Sequence, residues 1–205
     1  MASRRYDQRL RAEAAEDTRR RILDAVYRRL REAPTEPVSV ERVADLARVS
    51  RSTVYLVFGS RAGLFDALGE DLRKSGGFDR PAVVDDMADP RASLLASVRA
   101  SAPIFAKHRD VLRVLYSMAQ LDPDAVGGAI QRMGNARSAD LMAYARRLSK
   151  RNELKKGLSV ADATHLLWAF TGFELFDQLF AGRDLSPDAV ASLVVIMIES
   201  AVLGG

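Results

Sequence analysis

Apolar residues recur at three- and four-residue intervals through most of this chain, and short proline, glycine and serine clusters cut the pattern into segments. Ile22, Leu23, Val26, Tyr27 and Leu30 fall on one face of a helix that Asp17 or Thr18 caps and that runs to about Ala33. Pro34-Thr35-Glu36-Pro37 breaks it. Ser39 caps a second helix with Val43, Ala44 and Ala47 inward, Arg48-Val49-Ser50 is a turn, and Arg51–Phe58 is a third helix. Ser60 caps a fourth, with Leu64, Phe65 and Leu68 inward, and Gly76-Gly77 closes the block. Upstream, residues 1–17 are polar, arginine-rich and without an apolar face, and read as a flexible arm.

The second part of the chain opens on a loop, Phe78–Asp89. Asp89-Pro90 then pairs a cap with a proline at the first helical position. Pro103 is expected to kink or split the helix that follows near Ala102, leaving a short helix over Arg109–Gln120. Asp122-Pro123 repeats the cap-proline signal and opens a pattern that runs to Lys156, with a kink near Gly134 and Gly157 as its stop. Ser159 with Asp162 resembles a capping box and starts a helix to about Ala181. Ser186-Pro187 starts the last helix, which ends at Gly204-Gly205. The expected fold is all-α with about nine helices, divided into an arm (1–17), a helix-turn-helix domain (18–76) and a C-terminal helical domain (77–205).

The stretch Val40–Phe58 has the apolar signature of a helix-turn-helix. Ala44 is small where two short helices would cross, Val43, Ala47, Val54 and Val57 are apolar toward the unit's own core, and Val49 plugs the corner. Such a unit sets its second helix in the major groove of DNA. The outward residues of that helix are Arg51, Ser52, Thr53, Tyr55 and Leu56. Arginine pairs bidentately with guanine, hydroxyls reach bases or phosphates, and a leucine touches a thymine methyl. Arg61 lies near a helix start, where amides and the macrodipole favour a phosphate. Arg48 stands where a glycine is usual, because that turn residue often takes positive φ.

Charge sharpens this reading. The net charge is +4, yet residues 1–61 hold 14 arginines against 9 acidic residues, so the first 61 positions carry +5 and the rest −1. A basic module on a near-neutral body is the footprint of a nucleic-acid binder. The chain has 48% hydrophobic residues, enough for a sizeable core, and no cysteine, so disulfides and thiolate metal sites are excluded. The N-terminus lacks an apolar secretory region, and the longest apolar stretch, Ala189–Leu203, falls short of the roughly 20 residues a membrane span needs. A cytoplasmic location without membrane association is expected. His108 and His165 stand alone, so no metal site is expected; no cofactor and no nucleophile-base pair of an enzyme is called for.

The run Val49-Ser50-Arg51-Ser52-Thr53-Val54-Tyr55, then Phe58-Gly59-Ser60-Arg61 and Leu64, with Ile22-Leu23-Asp24-Ala25 before it, resembles the TetR family of bacterial transcriptional regulators over about residues 18–70. The resemblance implies an all-helical homodimer with an N-terminal DNA-binding domain and a C-terminal ligand-binding and dimerisation domain. The family's DNA contacts map onto Ser39, Arg51, Ser52, Thr53, Tyr55 and Arg61. Valine at position 57 replaces the histidine many members carry, so any contact made through that histidine is absent.

The implied activity is a repressor released from a pseudopalindromic double-stranded operator by a small apolar ligand. Leu166–Phe180 and Val190–Leu203 are apolar nearly all round and offer a homodimer surface through the last two helices. Phe105, Tyr116, Met133, Trp168 and Phe173 are candidate pocket residues, bulky enough either to line a cavity or to fill a core. Glu174 and Asp177 are acidic in an otherwise apolar helix and either meet a cationic ligand, sit at a polar edge or reach a partner arginine. A DNA-binding regulator without a small-molecule effector, an all-helical enzyme and a membrane-surface protein are the competing readings.

Overall fold

The computed structural model describes residues 2–76 and 89–204. Among them are nine α-helices: α1 (Ala2–Glu32), α2 (Val40–Ala47), α3 (Arg51–Phe58), α4 (Arg61–Ser75), α5 (Pro90–Leu121), α6 (Gly128–Lys150), α7 (Val160–Phe170), α8 (Phe173–Phe180) and α9 (Pro187–Ala201). A π-helical turn, Pro123–Gly127, joins α5 to α6. The described residues hold no strand, only an antiparallel bridge between Leu154 and Leu203. None of their helices is long and apolar enough to cross a membrane. The loop expected over Phe78–Asp89 lies, except for Asp89, outside the described residues.

The described residues form two compact units. The first holds those up to Asp71 together with Arg113–Ile130, and the second holds the remainder. The chain pattern alone puts a boundary after residue 76 and gives no sign that Arg113–Ile130 joins the first unit.

In the first unit α1 buries Ile22, Leu23, Ala25, Val26 and Leu30. It packs against α2, which buries Val40, Val43, Ala44 and Ala47. Buried Arg29 fixes the linker between them: its guanidinium donates to the Ala33 carbonyl at 3.1 Å and to Glu36 at 2.6 Å. Arg19 lies over the Phe58 ring at 5.0 Å, tying α1 to the end of α3. The expected arm is instead the start of α1, helical from Ala2. Alanine, arginine and glutamate are strong helix formers, and a packed downstream helix supplies the costly nucleus. The i,i+4 pairs Arg9–Glu13 and Asp17–Arg21, each at 3.2 Å, support the extension.

Arg61, the first residue of α4, is the polar centre of this unit. Its Nε donates to the Val38 carbonyl at 3.3 Å, and an Nη donates to the Asp122 carboxylate at 2.5 Å. Its guanidinium also lies over the Phe65 ring at 5.3 Å. Asp122, expected to cap a helix, makes no side-chain cap; its carboxylate is turned to Arg61.

Three further expectations in the second half are corrected. Pro103 does not split its helix: α5 runs unbroken from Pro90 to Leu121. Leu94, Val98 and Ala102 before the proline and His108, Val111, Leu112 and Leu115 after it are all buried. This single continuous stripe outweighs the loss of one N–H donor. The helix expected to reach Lys156 ends at Lys150, because Asn152 adopts the left-handed conformation (φ 58°). The amides of Asn152 and Glu153 then close on the Ser149 and Leu148 carbonyls, a Schellman stop that asparagine tolerates. The helix expected over Ser159–Ala181 is two. Thr171 turns its hydroxyl back to the Leu167 carbonyl at 2.8 Å, and Gly172 (φ −75°, ψ 154°) begins α8. Ser159 caps α7, its hydroxyl oxygen accepting from the Asp162 amide at 3.1 Å, while its O–H donates to the Asp162 carboxylate at 2.6 Å, so the carboxylate meets the hydroxyl and not the Ser159 amide of a full capping box. In this second unit α9 packs on α7 and α8 and buries Val190, Ala191, Val194, Val195 and Ile198.

Asp122 gives a pH signature. The Arg61 guanidinium holds its carboxyl below the usual carboxylate range, so the pair's contribution is present above about pH 4 and is lost as pH falls through the depressed value. Urea unfolding should show Asp122→Asn less stable than the wild type at pH 7, with the gap closing toward pH 2. A gap of equal size at both pH values would show that the charge of Asp122 does not matter.

Candidate nucleic-acid interface

One helix stop and two caps set the geometry of α2 and the start of α3. Ser39 (φ −90°, ψ 150°) caps α2, its hydroxyl oxygen accepting from the Arg42 amide at 3.2 Å. At the other end Arg48 takes φ 55°, ψ 47°, the left-handed conformation. Its amide donates to the Asp45 carbonyl at 3.1 Å, and the Val49 amide donates to the Ala44 carbonyl at 3.0 Å. That double closure is again a Schellman motif, here made with an arginine where glycine is favoured. The chain then extends through Ser50, whose hydroxyl oxygen accepts from the Thr53 amide at 3.1 Å and so caps α3.

With its start fixed by Ser50 and its end closed by the Gly59 amide donating to the Tyr55 carbonyl at 2.8 Å, α3 buries Val54 and leaves Val57 half-buried. Arg51, Ser52, Tyr55 and Leu56 face solvent, and Leu56 is 86% exposed. Ser50 also meets the Ser52 hydroxyl at 2.7 Å and the Thr53 hydroxyl at 2.8 Å, making a hydroxyl cluster at the start of the helix. The cap role of Ser50 is a residue the chain pattern missed; the Ser-x-x-Thr spacing just before an apolar run was the available signal.

Arg51 is oriented before any partner arrives. It pairs with Glu41 of α2 at 2.8 Å, donates to the Tyr55 hydroxyl at 3.4 Å and lies over that ring at 5.4 Å. The Tyr55 hydroxyl, and then Glu41, push its already high pKa further up. The structure thus brings Arg51, Ser52, Thr53 and Tyr55 together on one short helix, with Ser39 opening the helix before it. Arg61 is in a different situation: it is only a third exposed and its guanidinium is engaged with Val38 and Asp122.

The pocket candidates separate. Phe105 and Phe173 meet with ring centroids 5.7 Å apart, and Phe176, not singled out from the sequence, lies 5.4 Å from Phe105 and stacks on Phe180 at 5.2 Å. Asp177 reaches Arg109, the arginine alternative raised by the sequence, in a largely buried pair. Trp168 is 44% exposed, beneath the Arg137 guanidinium at 4.8 Å. Met133 is half-buried on α6 in the second unit, and Tyr116 belongs to the first unit. Buried His108 is pushed toward its neutral form by desolvation and then by Lys107. No group of three metal-ligating side chains occurs among the described residues.

Residues 22–68 match the family of bacterial regulatory proteins described as the tetR family. No curated protein matches the chain by sequence. Among solved structures, NalD, the secondary repressor of the MexAB-OprM multidrug efflux pump in Pseudomonas aeruginosa, superposes with a TM-score of 0.73 at 23% identity, covering 92% of this chain and 98% of that one. SmeT, the repressor of the Stenotrophomonas maltophilia multidrug efflux pump SmeDEF, gives 0.73 at 17% identity over 92% and 93% of the two chains. A transcriptional regulator from Rhodococcus gives 0.67 at 20% identity over 89% and 94%. These structures carry the fold, and the matched segment carries the family signature. Residues 22–68 thus match the tetR family of bacterial regulatory proteins, and the chain shares the fold of solved TetR-family regulators.

Proposed function

We propose that this chain is a homodimeric repressor whose two α3 helices read a pseudopalindromic operator in double-stranded DNA, and which a small apolar ligand releases. The observation that carries the reading is α3 itself: Arg51, Ser52, Tyr55 and Leu56 are exposed on a helix fixed at its start by Ser50 and from below by Val54. An 86% exposed leucine beside an arginine and a tyrosine packs little against the described residues, and it suits a thymine methyl. In this reading Arg51 exchanges Glu41 for a base edge, Ser52, Thr53 and Tyr55 contact bases or phosphates, and Ser39 offers its hydroxyl hydrogen to the backbone. Arg61 reaches a phosphate only by giving up Asp122, so its main contribution is to hold the start of α4.

Dimerisation is supported by the apolar side chains that α7 and α9 leave outside: Trp168 is 44%, Leu193 40% and Ile196 59% exposed. A two-fold arrangement would cover them and set two recognition helices about one DNA turn apart, roughly 34–36 Å. For the effector, the Phe105–Phe173–Phe176 cluster beside the Arg109–Asp177 pair provides an apolar region with a polar handle. The same ring contacts favour a second reading, in which these aromatics fill a solid core and the C-terminal region dimerises without a ligand.

A mobility-shift assay on the promoter of the protein's own gene, at moderate salt, tests the operator reading. Specific binding is expected, and Arg51→Ala should weaken it about 5- to 150-fold, with relaxed preference at one base pair. Equal binding to the promoter and to random duplex would overturn the reading. Thermal shifts with apolar compounds separate the two C-terminal readings. A stabilising compound that also releases DNA supports the effector, and Phe105→Ala should then abolish its shift.

A further inference from the structure

The first unit contains an open groove of about 720 Å³ between α1 and the C-terminal end of α2. Its walls carry Arg21, Arg28 and Arg31 from α1 and Arg48 from the turn, with Tyr27 beside them and Asp24 as the one acidic residue. Four guanidinium groups therefore share a concave surface with a single carboxylate. Arg21 is partly used: it pairs with Asp17 at 3.2 Å and donates to the Ala47 carbonyl at the end of α2 at 3.4 Å. Arg31 has a long contact, 3.4 Å, to its neighbour Glu32. The guanidinium groups of Arg28 and Arg48 make no hydrogen bond or ion pair among the described residues.

An ordinary solvated surface would neutralise such charges where carboxylates are near, as Arg9, Arg51 and Arg151 are neutralised by Glu13, Glu41 and Glu153. Here Arg28 and Arg48 stay unpaired among the described residues, and Arg31 has only its long contact to Glu32. One of them also lies where the chain accepts a cost to have an arginine: Arg48 occupies a left-handed position that glycine would take without strain. Its sequence position, three residues before Arg51, puts it in the turn that starts α3.

From this geometry we infer that the groove is an oxyanion site for phosphate groups. Guanidinium forks match phosphate in shape and charge, and several in one groove favour a ligand with several phosphates. Arg21 and Arg31 are ten residues apart on α1, about 15 Å at 1.5 Å per residue. One strand of duplex DNA advances about 3.4 Å per phosphate along its axis, so that run matches about four phosphate steps. The groove is open rather than enclosed, which suits an extended polyanion. Such phosphates come either from duplex flanking the site under α3 or from a free polyphosphate. The duplex source rests on the operator reading above; the oxyanion site itself does not.

The test uses the full chain and two probes. Tripolyphosphate is titrated calorimetrically at low salt into wild type, Arg28→Lys and the Arg28→Gln/Arg48→Gly double variant. Wild type should bind, Arg28→Lys should bind more weakly, and the double variant should lose at least tenfold. Glycine relieves the strain at position 48, so Arg48→Gly alone should melt about 2–4 °C higher, for about 1 kcal/mol of relief. Lost binding then cannot be blamed on unfolding. The second probe is a pair of duplexes, one limited to the specific site and one extended by ten base pairs on each side. Tighter binding to the long duplex by wild type, absent in the double variant and with a shallower salt slope there, assigns the phosphates to flanking DNA. Tripolyphosphate binding without that flank effect assigns them to a free polyphosphate. If no duplex binds specifically, the operator reading fails while the calorimetric arm still decides the groove. The inference is overturned if neither probe distinguishes wild type from the double variant, or if polyglutamate binds the groove more tightly than tripolyphosphate does.

Discussion

The presentation of α3 depends on one backbone closure, the left-handed turn at Arg48. Two hydrogen bonds, from the amides of Arg48 and Val49 to the carbonyls of Asp45 and Ala44, end α2 within a single residue. Without that stop α2 would run on, Ser50 would have no extended backbone from which to cap α3, and Val54 would lose its fixed place in the core. The corner after α3 is equally constrained. Gly59 (φ 75°) ends the helix, and a Cβ at Gly63 would stand 2.1 Å from the Phe58 carbonyl oxygen, so the entry into α4 requires a glycine there. Val40–Phe58 is thus a rigid bracket whose outward face is defined by how its ends are closed.

Arginine does four different jobs around this bracket, and burial and partner separate them. Arg29 is buried and satisfies the end of α1 and the linker after it. Arg61 is half-buried and holds Asp122 against the start of α4. Arg51 is exposed and paired with Glu41, a contact that solvent and salt weaken, so it is ready to exchange partners. Arg28 and Arg48 have no side-chain partner among the described residues. A count of positive charge treats these residues alike, yet only the last two kinds leave a cation available to an incoming phosphate or base.

This difference also explains what could be read from the chain. Local signals were legible: α3 spans the expected Arg51–Phe58, Ser39, Ser159 and Ser186 cap as expected, and Val43, Ala44, Ala47, Leu64, Phe65 and Leu68 are buried as their spacing indicates. Those features depend on residues within one or two turns of each other. Arg61 was not legible, because its partner Asp122 lies 61 residues away and the carboxylate looked like a helix cap. Pro103 misled for a related reason: the local rule predicts a break, while burial along the whole of α5 decides the outcome. The break at Thr171-Gly172 was readable in principle, but an unbroken apolar pattern masked the glycine.

The pocket candidates show the same limit in a sharper form. Residue type and helical spacing cannot say whether a phenylalanine lines a void or fills one, since both need the same inward position. The observed contacts narrow the matter to a physical difference. Phe105, Phe173, Phe176 and Phe180 form a chain of ring contacts that bears on the Arg109–Asp177 pair, with Arg109 also 5.8 Å from the Phe180 ring. The pair is about four-fifths buried, so it has lost much of its water and its mutual contact gains weight. Any change that moves the Phe176–Phe180 segment therefore acts on both the stacking and the pair. The cluster behaves as one packed element rather than four separate contacts, and a ligand that entered it would have to displace rings and keep the pair satisfied. Under the proposed ligand-released reading, an effector is defined by what it must replace: apolar area equal to an aromatic ring, with one polar group set to meet Arg109 or Asp177.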